Sequence, residues 1–99
     1  KESKYAAQVP MEVARTVQSI LPMIDVVARK GNSNAVTDAC VSMMCARTAI
    51  LGALLNVRIN LTSIKYEKFV KEMSEEADMI EQTTIAEEQK ILDYVKTMF

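Results

Sequence analysis

Apolar residues recur at helical spacing over most of the chain. Val13, Val17, Ile20, Ile24 and Val27 follow the three- and four-residue steps of one helix face. Val9-Pro10 opens this segment, because proline suits the first helical position, where its missing N–H has no partner to lose. Arg29-Lys30-Gly31 closes it with basic residues and a glycine stop. Pro22 falls inside the pattern and its ring clashes with the carbonyl four residues earlier, so it kinks or divides the helix. Gly31-Asn32-Ser33-Asn34 is a loop of turn and cap formers. A second helix is predicted from about Ala35 to about Asn60, with Asn34, Thr37 or Asp38 capping its start. The third, from about Lys65 to Met98, is amphipathic and capped by Thr62 or Ser63. Its buried stripe is Tyr66, Val70, Met73, Ala77, Ile80, Thr84, Ile91, Val95 and Met98.

The predicted architecture is therefore all-α: a bundle of three long helices with the middle one central and buried. Composition agrees. The 99 residues contain two Gly and two Pro, too few for the turns of an all-β design, and 49% are hydrophobic, too many for a disordered chain. One domain at most fits this length.

The middle helix is apolar nearly all round, with only Arg47 and Arg58 charged between Asp38 and Leu61. Such a helix is either central in a bundle or spans a membrane. Ala39 to Val57 is long enough to span, but Arg47 at its centre costs roughly 2.5–3.5 kcal/mol on insertion scales, and aromatic belts are absent at both ends. The bundle is favoured, and no membrane partner is expected. No signal peptide is visible. The first residue is Lys, as expected of a chain that begins after processing or inside a longer protein.

The net charge of -1 conceals an asymmetry. Residues 1–65 hold eight Lys/Arg against four Asp/Glu, and residues 66–99 hold four against nine. The two halves attract, and packing of one on the other accounts for it. The basic residues are scattered rather than striped, so nucleic-acid binding is not expected. With no His, the chain supplies neither the commonest general acid–base group nor the commonest metal ligand. Cys40 and Cys45 lie about 140° apart around a helix and cannot bridge to each other. Unpaired thiols with apolar neighbours suit a core and a reducing cytoplasm.

One line along the middle helix stands apart. Asp38 and Asn56 are five turns apart and point the same way, Cys45, Ala49 and Gly52 lie between them, and Asn60 follows a turn later. Ser42, Ala46 and Ala53 flank the line. Small residues with polar ones at both ends permit close approach of another backbone or leave room for a flat ligand. Arg47 and Arg58 project from the opposite side, either to hold an anion or to pair with the acidic last helix.

Gly31-Asn32-Ser33-Asn34, Thr37-Asp38, Gly52-Ala53 and Asn56-Val57-Arg58-Ile59-Asn60 resemble the cyclodeaminase / methenyltetrahydrofolate cyclohydrolase family, whose pattern reads G-N-x-N-x-x-S-D and then G-A-x-x-N-V-x-I-N. Ala7-Gln8-Val9-Pro10-Met11-Glu12-Val13-Ala14 is similar to its A-x-V-P-L-x-V-A segment. Order and gaps match from Ala7 to about Asn60, and Thr37 keeps the hydroxyl of the usual Ser. Family domains are roughly twice this length. The resemblance thus implies that residues 1–99 form the C-terminal half of one helical domain, which is inactive alone and partnered by a missing N-terminal half.

The resemblance also implies folate one-carbon chemistry. A cyclodeaminase closes 5-formimidoyltetrahydrofolate to 5,10-methenyltetrahydrofolate and expels ammonia. A cyclohydrolase interconverts the methenyl form with 10-formyltetrahydrofolate by adding water. Both reactions need a proton donor for the leaving nitrogen and a carboxylate or dipoles facing the cation. The tetrahydrofolate derivative is the substrate, and no cofactor or metal is expected. Asp38 is the catalytic candidate, facing the cation or merely complementing the helix dipole. Asn56 and Asn60 would bind the pterin or join a structural network, and Arg58 or Lys65 would meet the glutamate tail. The family's habit implies a homo-oligomer, a dimer. The competing function is a non-catalytic helical interaction module.

Overall fold

The structure, a computed structural model, describes residues 2–99; Lys1 lies outside them. Four helices account for nearly all of it: α1 (Glu2–Gln18), α2 (Leu21–Lys30), α3 (Ser33–Leu61) and α4 (Glu67–Lys96). They form an all-α rod 50 Å long and about 17 Å across, with α3 in the middle and packed against the other three.

Pro22 divides the first predicted helix in two. It sits in the first turn of α2, and Ser19-Ile20 make the corner. Pro10, expected to begin a helix, lies inside α1. A proline there costs about 3 kcal/mol. Ala7, Met11 and Ala14, all buried against the core on both sides of it, carry the helix through.

Those same residues form an inner stripe distinct from the apolar series Val13 to Val27. Ala7, Met11, Ala14, Leu21 and Ala28 face the core, whereas Val13 and Val27 are 48% and 47% exposed and Ile20 is exposed as well. Of that apolar series only Val17 and Ile24 are partly buried. Both lines have helical spacing, and periodicity does not choose between two apolar faces. The alanines win the inside because they let α1 and α2 lie close on α3. An apolar face is left looking outward.

Loop chemistry also differs from expectation. Asn32, not Asn34, Thr37 or Asp38, caps α3, its Oδ1 accepting from the Ala35 N–H at 2.9 Å. Thr62 and Ser63 close the end of α3 rather than open α4. Their hydroxyls donate to the carbonyls of Ile59 (2.6 Å) and Asn60 (3.2 Å), and Tyr66 stands at the start of α4 with no side-chain cap. Along α4, Met73, Ala77, Ile80, Thr84, Ile91 and Val95 are buried as predicted, while Tyr66 and Met98 at its ends are exposed.

The two charge halves do pack together. Arg15 makes a two-pronged contact with Glu76, each bond 2.6 Å long. Arg58 reaches Asp78 at 2.9 Å and Glu81 at 2.7 Å, and Arg47 Nε lies 3.1 Å from Glu88. At the two ends of the rod Lys4 sits over the Tyr66 ring and Arg29 over the Tyr94 ring. α3 has the length and apolarity of a membrane-crossing helix. It is central in the bundle, as expected, but buried on one side only: 39% of its apolar span is covered and its two arginines are paired with α4.

Candidate functional site

α3 is built with two unlike sides. Val36, Met43, Ile50, Leu54 and Val57 form a continuous buried face towards α1, α2 and α4. The other side carries the polar-ended line and is open along its whole length: Asp38, Ser42, Cys45, Ala49, Gly52 and Asn56 are all exposed. A side chain added at Gly52 would meet nothing within 4 Å. The flanking Ala46 and Ala53 turn inward and are buried.

Asp38 lies in the second turn of α3, beyond the reach of the helix N-terminal dipole. Its carboxylate rims an open recess of about 360 Å³ between α2 and α3, walled by Met23, Ile24, Val27 and Ala39. It has no ion-pair partner among the described residues. Asn56 borders a second recess, with Leu55, Ile59 and Thr62. Asn60 is partly buried and donates from Nδ2 to the Asn56 carbonyl at 2.8 Å, one turn back.

The structure brings Asn56 and Asn60 together and keeps Asp38 apart. Eighteen residues of straight helix separate Asp38 from Asn56, about 27 Å along the axis. One copy of this chain therefore does not place carboxylate and amides on the same small group. Arg58, a candidate for anion binding, lines the same recess as Asn56, but its guanidinium is held by Asp78 and Glu81 of α4. Burial disfavours its charge, but the bonds to Asp78 and Glu81 outweigh that and raise its pKa. Its charge is thereby matched within the fold. Lys65, in the loop before α4, is exposed. Cys40 is buried as predicted; Cys45, also expected in a core, lies on the open face.

Two features escaped the sequence pattern. A recess at the α1–α2 corner collects Arg15, Ser19, Asp25, Thr83, Glu87 and Lys90 from three helices, and no spacing within one helix signals it. Thr84, correctly placed in the buried stripe, holds a hydroxyl with no hydrogen-bond partner. Arg47 Nε beside Glu88 is likewise in charge contact without hydrogen-bond geometry. Among the described residues no three His, Cys, Asp or Glu gather as a metal site.

An all-α rod with a polar-ended helix face left open belongs with helical bundles, whose ligand sites lie between helices. The family model described as Formiminotransferase-cyclodeaminase matches residues 1–79, and the chain belongs to that family. It is 29% identical over 94 residues to the methenyltetrahydrofolate cyclohydrolase of Methylorubrum extorquens, covering 95% of this chain and 45% of that protein. It is 32% identical over 66 residues to the formimidoyltransferase-cyclodeaminase of Rattus norvegicus, covering 67% of this chain and 12% of that protein. The Gallus gallus formimidoyltransferase-cyclodeaminase is 35% identical over 72 residues, 73% of this chain and 13% of that protein. The chain thus spans less than half the length of the curated relatives it matches.

Proposed function

We propose that this chain supplies the α3 face of a folate one-carbon enzyme, a cyclodeaminase or a methenyltetrahydrofolate cyclohydrolase. The observation that carries this reading is that the family match runs through Asp38, Asn56 and Asn60, polar residues along the open face of α3. Asp38 would face the methenyl cation, which a nearby carboxylate stabilises as positive charge develops. Asn56 and Asn60 would read the amide-like edges of the pterin, Asn60 through the hydrogen-bonding capacity left beyond its bond to the Asn56 carbonyl. Arg58 is committed to α4, so Lys65 is the cation left for the glutamate tail. The general acid for the leaving nitrogen belongs to the rest of the domain. A missing N-terminal half, a dimeric assembly and a reducing, cytoplasmic setting complete the reading. The interaction-module alternative gives no reason for a carboxylate and two amides on this face.

The test is 5,10-methenyltetrahydrofolate added to the complete domain. Specific binding raises its melting temperature by mass action, and turnover follows from absorbance of the methenyl chromophore. Stabilisation with turnover supports the proposal; a folded protein that shows neither contradicts it.

A further inference from the structure

We infer that the recess between α2 and α3 seats the aryl ring that a folate substrate carries on N10, with Met23 and Val27 as the residues that select it. The inference rests on the folate reading above and names the part of the substrate this chain holds. The two walls of the recess differ. On the α2 side Met23, Ile24 and Val27 offer only apolar side chains. On the α3 side Ala35 and Ala39 make a low floor, and Asp38 and Ser42, one turn apart, make a polar rim. The volume of about 360 Å³ falls at the small end of ligand clefts, the size for one flat ring and its substituents. Met23 is 68% exposed and Val27 47%, and neither belongs to the buried core. A thioether beside open space is a favourable neighbour for an aromatic edge.

Charge and connectivity select the occupant. Asp38 has no ion-pair partner among the described residues, so a cationic group answers it. In 5,10-methenyltetrahydrofolate the positive charge is shared by N5, N10 and the carbon between them, and N10 is bonded directly to the aryl ring. A ring lying against Met23 and Val27 therefore brings its own charge to the Asp38 rim. The pterin suits the recess poorly. Its edge of amide donors and acceptors would face the apolar α2 wall and stay unpaired there, whereas the faces of the aryl ring carry no such groups. The unlike walls also orient the substrate, with the ring on α2 and the cation on α3. Asn56 lies about 27 Å further along α3, so substitutions at the wall do not act through the amides.

The experiment sets two ligands against the complete domain. One is 5,10-methenyltetrahydrofolate, read by kcat and KM. The other is its ring-free analogue, with methyl in place of the aryl group on N10, read as a competitor by its inhibition constant. Met23→Ser and Val27→Ser shorten exposed side chains, so the melting temperature should hold. Each should raise the folate KM about tenfold with kcat little changed, the effect of a lost apolar pocket contact. Neither should weaken the ring-free analogue, and Met23→Leu, which restores apolar bulk, should recover the wild-type KM. Asp38→Asn should instead lower kcat and weaken both ligands, since both carry the cation. Equal weakening of the two ligands by the serine variants would put the pterin on the wall and overturn the inference. So would an unchanged folate KM in both variants, with or without a lowered melting temperature. A folded domain that neither binds nor turns over the folate overturns the proposed function and this inference with it. Turnover with an insensitive wall overturns this inference alone.

Discussion

The two sides of α3 solve different problems with one helix. The side towards α4 carries both of its arginines, each set against acids, and between them sit large side chains with no exposure. The opposite side carries small residues, exposed apolar flanks and polar ends without charged partners among the described residues. Cohesion is thus concentrated on one side, and the residues proposed for the folate chemistry lie on the other. A side that holds a fold together is closed by its own chain; a side left open calls for something else to cover it.

Substitutions on neighbouring leucines should break this comparison most sharply. Leu54 is fully buried and Leu55 is 66% exposed. Leu54→Ala should destabilise the fold by about 2–5 kcal/mol in denaturant melts, through lost transfer energy and a cavity. Leu55→Ala should change the stability of the single chain by less than ~0.5 kcal/mol. Equal effects would mean that the two sides are not distinct.

Thr84→Val should act in the other direction. The hydroxyl is buried without a partner, and removing it at nearly constant shape should stabilise the fold by about 1 kcal/mol. A loss of stability of similar size would show that the hydroxyl is satisfied in solution.

The smallest effect concerns acid. The bonds from Arg15 hold the Glu76 carboxyl below its ordinary value of 4.5, against the opposing effect of burial. A group with a depressed folded pKa contributes stability above its unfolded pKa and loses it as pH falls through the folded one. Melts from pH 7 downwards should therefore show this contribution intact at neutrality and fading below about 4.5. Glu76→Gln should remove that component at a neutral-pH cost of roughly 0.2–1 kcal/mol, as for other solvent-screened pairs.

The helices and the shared orientation of Asp38 and Asn56 were legible in the sequence, which also offered the division at Pro22 beside a kink and the pairing of Arg47 and Arg58 with α4 beside an anion site. Each follows from angular spacing or from charge, which are properties of the chain order. The inner face of α1 and α2 was not, because Val13 and Met11 lie on two stripes of equal periodicity and only the closeness of α3 decides between them. The caps were misplaced by a few residues for a similar reason: Asn32, Thr62 and Ser63 are good cap formers at either end of a loop, and backbone direction settles which end they serve. The 27 Å between Asp38 and Asn56 was implicit in the five turns that align them, yet alignment alone hides distance.

Asn56→Leu in the complete enzyme tests the central claim most directly, because Asn56 is exposed on the open face and its side chain holds nothing in this fold. The account predicts an unchanged melting temperature and a fall in kcat/KM for the folate substrate of about tenfold or more, the equivalent of ~1.4 kcal/mol in the transition state. Wild-type turnover with the leucine in place would contradict it.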